Sequence, residues 1–429
     1  MWLFQRKAAF SRPFRALGFL AALVLPGLAL APMASADDRT PEEWQAMFDE
    51  TATASSMPMT LENGALKGPG ADFLIRRGAR AHFVMFGEEH GVGTIGDIAT
   101  AYVTALGPSG FTMAAIETDP WMGARLETAL RKGGIDALAA YFRAPGNRLS
   151  IPIYFWTQDA VFAEAVIRNA GENAPALIGL DQVFTFAPQT LLAEIATRTV
   201  SPNARARAQE LSARAGREEN FLGRAEPEAL RSLRALLHPE RDASLIELVD
   251  AMIESAFIYA PFTGESPTSV YEANLARETL MKRNFMAALG KVSGGEDMPR
   301  IFLKFGAYHM YRGLSPTLVP ALGGFVADLA LMRGEESFSV AVLCGPGAQS
   351  VDLEGNALPC TETFETDVGR FAHHVAAEGM TVFDLAWFKK RPKRLGIIPE
   401  AFRNLVLSYD ALVIVPGAAP ATYVVPPGE

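Results

Sequence analysis

Cysteines and the common hydrolase motifs are scarce in this sequence. Among its 429 residues there are two cysteines, Cys344 and Cys360, too few for a disulfide-rich scaffold or a zinc site of clustered cysteines. The sequence has neither the G-x-S-x-G motif of a serine-hydrolase elbow nor the H-E-x-x-H motif of a zinc protease. The two cysteines can close a short loop as a disulfide, which is our preferred interpretation. Cys344 as a nucleophile after the strand-like SFSVAVLC is the alternative.

Long apolar runs are also rare, and the conspicuous one lies at the N-terminus. Residues 1–36 combine a basic start, the apolar stretch ALGFLAALVLPGLALA and the small-residue site Ala34-Ser35-Ala36. This is the layout of a secretory signal peptide. Beyond it, no apolar run is long enough to span a bilayer. We therefore expect a periplasmic or secreted protein with no membrane span once the signal peptide is removed.

Positive charge is in the minority. The formal net charge is −9 at pH 7, and it becomes −13 when residues 1–36, which carry four Lys/Arg and no Asp/Glu, are removed. A protein this acidic is a poor binder of nucleic acids or anionic membranes. The hydrophobic fraction of 49% is sufficient for a large core. We expect a globular protein whose partner is a small-molecule or peptide substrate.

The hydrophobic pattern predicts an α/β fold. Residues 37–80 read as a lead-in with one helix at 41–49. In 81–185 the strand-like segments HFVMF, FTMAAIE and PALIGLD alternate with helical ones, which predicts a parallel sheet covered on both faces. Residues 186–295 read as a helical insertion or cap. In 296–429 the segments RIFLKF, SFSVAVL, TVFDLAW and ALVIVPG resume the strands. The fold class is thus a mostly parallel sheet flanked by helices, with a helical insertion.

Several predicted strands are followed at once by ionisable residues. In open parallel α/β sheets, ligands bind beyond the carboxyl ends of the strands. Each residue alone is more simply explained as a helix cap or a packing residue. Their convergence at one edge of the sheet is what predicts a functional site. The residues concerned are Glu88, Glu89, His90, Glu117, Asp119, Asp181 and His309.

A predicted helix adds a polar face to this site. In YEANLARETLMKRNFM, Asn274, Arg277, Met281 and Asn284 fall at helical spacing on one side. A solvated helix surface is the alternative explanation. If the face meets the strand ends, Arg277 can position an anionic part of a substrate.

A glycine motif gives a competing hypothesis. GVGTIG at 91–96 fits G-x-G-x-x-G after a strand and before a helix, with Glu117 at the end of the next strand. That is the pattern of a dinucleotide site. Here the glycines do not abut the strand, and the intervening Glu88 and Glu89 would repel a pyrophosphate. Dinucleotide binding is kept as a minor alternative.

Several segments resemble motifs of the erythromycin esterase/ChaN-like superfamily, which also contains the Tiki and TraB/PrgY groups. FGEEHG resembles its G-E-x-H motif, and FGAYH its G-x-x-H motif. FTMAAIET is similar to its strand ending in Glu, PALIGLDQ to its Gly-x-Asp strand, and RETLMKRN to its Arg-Asp/Glu-x-x-Met-x-x-Asn helix. The esterases space the first motif as G-E-x-x-H, one residue longer, and the lipid-anchored ChaN group has a cysteine that this sequence lacks.

The resemblance implies an α/β fold with a helical insertion and a site built from Glu88, His90, Glu117 and His309. In the esterase group a histidine of the first motif is thought to activate water for ester or lactone hydrolysis. In the Tiki group the Glu and His positions support metal-dependent peptide hydrolysis. In the ChaN group the site region relates to iron or haem binding.

The leading hypothesis is an exported hydrolase of ester, lactone or amide bonds. His90 is the predicted general base on a water, since imidazole titrates near neutrality. Glu88 or Glu117 orients it, and His309 stabilises the developing oxyanion. Arg277, Asp181 and Glu89 are the predicted substrate-binding residues.

Two features of this hypothesis stay open. If a divalent metal is used, Glu88, His90 and His309 are its predicted ligands, and manganese, iron or zinc suits such a set. The alternative function is that of an exported protein that binds iron or haem and catalyses no reaction. It is based on Tyr308 and Tyr311, which flank His309, because tyrosine and histidine both ligate iron.

Overall fold

The structure is a computed structural model in which two compact units are distinguished, Met1–Met47 and Phe48–Glu429. The predicted signal peptide, residues 1–36, lies outside the described residues. Of the first unit, the structure describes residues 40–47, of which 41–47 belong to helix α1. The fold below is that of the second unit. In all, the structure describes residues 40–218, 220–224, 227–263, 266–292, 298–360, 369–376, 378–390 and 400–428.

Strands and helices alternate along most of the described chain. The strands are β1 Ser56–Glu62, β2 Ala65–Lys67, β3 Phe83–Glu88, β4 Phe111–Ile116, β5 Leu177–Gly179, β6 Arg300–Gly306, β7 Ser337–Cys344, β8 Gln349–Val351, β9 Ala357–Pro359, β10 Met380–Asp384 and β11 Ala411–Val415. The helices are α1 Pro41–Ser55, α2 Pro69–Arg80, α3 Gly93–Leu106, α4 Pro120–Arg143, α5 Thr157–Ala170, α6 Pro188–Arg198, α7 Pro202–Ala215, α8 Phe221–Arg224, α9 Pro227–Leu236, α10 Ala243–Tyr259, α11 Val270–Val292, α12 Leu322–Met332, α13 Ala386–Lys389 and α14 Glu400–Ser408. In the described part of the chain, the stretch between β5 and β6 is helical.

Nine of these strands form one sheet, in the order β2-β1-β10-β11-β7-β3-β6-β4-β5. From β11 to β5 every neighbouring pair is parallel. Beyond β11, the strands β10, β1 and β2 are added antiparallel, each to the one before it. The sheet confirms the predicted α/β class. It also places the ends of β3, β6 and β4 side by side, which is where the ionisable residues lie.

The apolar core occupies both faces of the sheet. In β3, Val84 and Phe86 belong to the core on one side, together with residues of α2, α3 and α5. Phe83 and Met85 belong to the core on the other side, together with residues of α11 and α12. All four side chains are fully buried. A strand covered on both faces reads as a continuous apolar run, which is why the sequence pattern identified it.

The segment 37–80 holds more structure than the sequence indicated. The single helix predicted at 41–49 extends to Ser55, and β1, β2 and α2 follow it. Proline within a strand normally argues against a strand, and Pro58 concealed β1. It is accommodated because β2 pairs with residues 60–62 and does not reach Pro58.

Candidate functional site

The site is built on the carboxyl ends of three adjacent parallel strands. Glu88 is the last residue of β3 and lies opposite Gly306, the last residue of β6. Glu117 directly follows β4, the other neighbour of β6. A side chain at Gly306 would not fit, because its Cβ would lie 2.8 Å from Nε2 of His90. The missing side chain therefore makes the space that His90 occupies.

His90 stands between two carboxylates. Its Nδ1 is 3.2 Å from Oε1 of Glu88, and its Nε2 is 3.3 Å from Oε2 of Glu117. Burial on its own lowers the pKa of His90, but the charges of Glu117 and Glu88 outweigh it and raise the pKa to about 10. At neutral pH the ring is therefore an imidazolium that bridges the two acids.

Glu117 is the centre of the cluster. Its Oε2 accepts a hydrogen bond from the backbone N–H of Gly306 at 2.6 Å, and its Oε1 accepts one from Nη2 of Arg277 at 2.8 Å. Both imidazoles face it, since Nε2 of His309 is 3.4 Å from Oε1. Burial raises the pKa of Glu117, and the cationic histidines more than offset this, so its pKa lies well below the ordinary value. Glu117 is thus a fixed negative charge.

His309 is held from two sides in the short 3₁₀ turn Ala307–Met310 after β6. Its Nδ1 lies 2.6 Å from Oε1 of Glu278, whose other oxygen accepts from the backbone N–H of Leu322 at 2.7 Å. Burial and Arg277 lower the pKa of His309, but Glu117 and Glu278 raise it to about 9. The orientation of the ring is therefore set by two carboxylates.

Arg277, on α11, forms a bidentate pair with Asp181. Its Nε donates to Oδ1 of Asp181 at 2.9 Å and its Nη2 to Oδ2 at 2.5 Å. Burial lowers the pKa of the guanidinium, but the charges of Asp181 and Glu117 raise it above its ordinary value. Planar pairs of this kind fix geometry as well as charge. Arg277 and Asp181 consequently hold Glu117 in place from the side of the helical segment.

A buried lysine forms ion pairs with one carboxylate of the cluster and with one carboxylate of α5. Nζ of Lys304, in the middle of β6, lies 2.6 Å from Oε1 of Glu88 and 2.5 Å from Oδ1 of Asp159. The lysine side chain is 1% exposed. Burial raises the pKa of Glu88, but the charges of Lys304 and His90 bring it below the ordinary value. The site is therefore a continuous network of alternating charges.

The structure brings six of the predicted residues together and places Asp119 and Glu89 elsewhere. Glu88, His90, Glu117, His309, Arg277 and Asp181 form the cluster. Asp119 caps α4, where its Oδ1 accepts from the backbone N–H groups of Trp121 and Met122. Glu89 points to the other side of its strand end, where its carboxylate accepts from the backbone N–H of Cys344 at 2.6 Å. Burial raises the pKa of Glu89 to about 8. Beside it, Cys344 and Cys360 are joined in a disulfide.

The predicted metal ligands do not converge on one point. Within the described residues, the side chains that bring three ligand atoms within 4.8 Å of one another are Glu89, Cys344 and Cys360, and a disulfide offers no thiolate to a metal. Both ring nitrogens of His90 and of His309 face carboxylates. As placed, these residues do not fit a metal ion, and metal use stays a prediction.

The glycines of GVGTIG have packing explanations. A Cβ on Gly93 would lie 2.8 Å from the carbonyl oxygen of Pro420, and one on Gly96 would lie 2.7 Å from Cβ of Gln158. The backbone N–H of Thr94, in the first turn of α3, donates to the carbonyl of Ala419. The C-terminal segment thus lies where a dinucleotide phosphate would bind. No contact in the described structure supports the dinucleotide hypothesis.

Sequence reasoning missed three residues of the network: Glu278, Lys304 and Asp159. Lys304 had a signal, because it is a lysine inside the apolar strand RIFLKFG, and a buried charge requires partners. Glu278 adjoins Arg277 but lies one residue along the helix, outside the predicted polar face. Asp159 looked like an ordinary acidic residue in the first turn of α5.

The fold and the cluster together define a class: an α/β protein whose parallel strands end in a buried network of carboxylates and imidazoles. No family model matches the sequence, and no curated protein matches it. Solved structures do match.

A protein from Bacillus cereus is 14% identical with a TM-score of 0.60, over 88% of this chain and 99% of its own. A mutant of the erythromycin esterase EreC in its open conformation is 16% identical with a TM-score of 0.59, over 86% and 99%. A succinoglycan biosynthesis protein is 13% identical with a TM-score of 0.57, over 90% and 100%. The chain therefore has the fold of the erythromycin esterase, and the resemblance to the erythromycin esterase/ChaN-like superfamily is confirmed at the level of the fold.

Proposed function

We propose that this protein is an exported hydrolase of ester, lactone or amide bonds, and that the cluster of Glu88, His90 and Glu117 activates the attacking water. The observation that supports this most is the exposure of His90. Its side chain is 17% exposed, whereas those of Glu88 and Glu117 are 3% and 8% exposed. Water and substrate therefore meet the charged network at the imidazole. The shared fold with an erythromycin esterase supports the same reaction class.

In the proposed reaction His90 carries one proton through the cycle. Its free-base form accepts a proton from water as the water oxygen attacks the carbonyl carbon. The proton then passes to the departing alkoxide or amine as the C–O or C–N bond breaks. Glu88 and Glu117 stabilise the imidazolium between these two steps. With a pKa of about 10, the free base is about one molecule in 1000 at pH 7.

The other members of the cluster have supporting roles in this proposal. His309, protonated at neutral pH because its pKa is about 9, stabilises the negative charge that develops on the carbonyl oxygen. Arg277 and Asp181 position Glu117, since the guanidinium is engaged by both acids. These contacts support a positioning role for Arg277 more directly than a contact with an anionic substrate.

A panel of esters, lactones and short peptides tests the proposal. The full-length chain and the variant His90→Gln are assayed beside His373→Gln, which changes an exposed histidine outside the cluster. We expect His373→Gln to match the wild type. His90→Gln should lose about 100-fold or more of kcat/KM, the contribution typical of general acid–base catalysis. Circular dichroism melting curves check that each variant is folded.

Two results would contradict the proposal. One is a wild type that hydrolyses no member of the panel. The other is His90→Gln with the activity of the wild type, which would place the hydrolysis elsewhere. Export has its own test: sequencing the N-terminus of the protein recovered outside the cytoplasm should find cleavage after Ala36.

The iron or haem alternative stays a prediction without a contact that favours it. Met310 and Tyr311, beside His309, are buried, and Tyr311 packs edge-on against Tyr409. An absorption spectrum of the purified protein tests the haem alternative, because a bound haem would give an intense band.

In the described part of the chain no helix is both long and apolar enough to cross a membrane.

A further inference from the structure

The loop between α4 and α5 carries a tyrosine hydroxyl that has no hydrogen-bond partner. Tyr154 is 1% exposed; its hydroxyl makes no hydrogen bond to another described residue, and it is not among the enclosed polar atoms that lack a partner. A buried tyrosine hydroxyl normally has a partner, because an unpaired one loses its hydration without compensation. The Tyr154 hydroxyl is not fully enclosed, so it can donate to an acceptor that comes from outside the chain.

The backbone before this tyrosine is strained. Ile153 has φ of +68°, a region that a β-branched residue rarely adopts. The turn is closed by hydrogen bonds from the N–H of Tyr154 to the carbonyl of Pro152 at 2.7 Å and from the N–H of Trp156 to that of Ile153 at 3.0 Å. Strain of this kind persists only where the surrounding structure imposes it, and it concentrates at functional sites.

The loop lies against the cluster from two directions. On one side, a Cβ on Gly91, the neighbour of His90, would be 3.4 Å from the Trp156 ring. On the other, the loop continues into α5, where Asp159 accepts from the same lysine that binds Glu88.

The surroundings of the phenol keep it protonated. Burial is the first cause that raises the pKa of Tyr154 well above 10, and the negative charges of Asp159, Glu88 and Glu117 add to it. The hydroxyl therefore lies within reach of the charges of three site carboxylates without bonding to any of them. It is a neutral hydrogen-bond donor that stays available across the physiological pH range.

We propose that Tyr154 is a further catalytic residue, whose hydroxyl donates a hydrogen bond to the oxyanion formed when water attacks the substrate carbonyl. This rests on the proposed hydrolase function. The proton stays on the tyrosine throughout, so the hydroxyl needs no proton acceptor of its own. Because the hydroxyl makes no bond to another described residue in the resting protein, no bond within the chain has to break before it donates to the oxyanion.

The variant Tyr154→Phe tests this proposal, because it removes only the hydroxyl oxygen. It breaks no hydrogen bond of the resting protein, so we expect an unchanged urea midpoint. The kcat on the substrate found in the panel should fall about 100-fold to 1000-fold, as for other oxyanion donors. KM should change less than about threefold, because the interaction belongs to the transition state.

Tyr102→Phe is the matched control. Tyr102 is also fully buried, but its hydroxyl donates to the carbonyl of Leu74, in α2, at 2.9 Å, and it contacts no residue of the cluster through this bond. Tyr102→Phe should lower the urea midpoint and leave kcat unchanged. The two variants should thus separate, one affecting catalysis alone and the other stability alone.

Each other outcome overturns the inference. If Tyr154→Phe keeps kcat within twofold of the wild type while His90→Gln is inactive, Tyr154 is not catalytic and the proposed function stands. If Tyr154→Phe loses kcat together with its urea midpoint, the hydroxyl is structural. If the wild type hydrolyses nothing in the panel, the proposed function fails and this inference fails with it.

Discussion

Replacing Lys304 by methionine should destabilise the protein severely. Nζ of Lys304 is the shared partner of Glu88 and Asp159, at 2.6 and 2.5 Å, and the side chain is 1% exposed. Methionine keeps the apolar stem but leaves two buried carboxylates without this cation. Removing one partner of a buried ion pair costs about 3–5 kcal/mol in the free energy of unfolding. We expect a loss in that range at pH 8.

The loss should shrink as the pH falls. Burial raises the pKa of Asp159 to about 6 even with the lysine in place, and without the lysine the pKa of this carboxyl in the folded state should rise further. A carboxyl whose folded pKa exceeds its unfolded pKa stabilises the protein at low pH and loses that contribution as the pH rises. We expect the loss at pH 5 to be smaller than at pH 8 by about 1 kcal/mol or more.

Urea unfolding at pH 5 and pH 8, followed by circular dichroism, measures both quantities. Lys67→Met is the control, because Lys67 is exposed on β2, and its effect should stay within about 0.5 kcal/mol. A loss below about 1 kcal/mol for Lys304→Met at pH 8 would refute the reasoning. So would an equal loss at the two pH values, because it would show that protonating the carboxylates left by the lysine relieves none of the loss.

Three further predictions concern the surroundings of the cluster. Buried Glu89, with a pKa of about 8, holds a proton that the unfolded chain releases between pH 5 and 8. The free energy of unfolding of Glu89→Gln should therefore rise relative to that of the wild type by about 1 kcal/mol per pH unit over this range. An equal pH dependence of the two free energies, measured by urea unfolding, would contradict this. Reducing the Cys344–Cys360 disulfide, whose cysteines are 16 residues apart, should cost about 3 kcal/mol, and an unchanged melting temperature would count against it. Glu278→Gln should lower the pKa of His309, measured by NMR titration, by about 1 or more; a pKa still near 9 would show that Glu278 does not set it.

Most of the fold could be predicted because the central strands are buried on both faces. Segments such as HFVMF and SFSVAVL are continuous apolar runs, and β3 and β7 are found there. β1 could not be predicted, because the polar segment SMPMTLE contains a proline. Its pairing depends on β10, more than 300 residues away in the chain. The pattern of residues within one segment carries no information about pairing with a strand so distant in the chain.

The candidate site was predictable where it follows from topology. Parallel strands bring their carboxyl ends to one edge, so Glu88, Glu117 and His309 meet there. The second layer depends on how helices pack against that edge, and no local pattern reports this. Glu278 and Asp159 are bound through such packing. The raised pKa of His90, which depends on both carboxylates being within 3.3 Å, likewise required the three-dimensional arrangement.

The pH dependence of hydrolysis tests the central claim most directly. If His90 with a pKa of about 10 is the general base, kcat/KM should rise about tenfold between pH 7 and 8, in step with the free-base fraction. The rise should become less steep toward pH 9, because His309, with a pKa of about 9, then loses the proton with which it stabilises the oxyanion. The rise should be absent in the residual activity of His90→Gln and present in His373→Gln. A wild-type profile that is level or falls over this range would contradict the account, because His90 would then act as an acid or take no part.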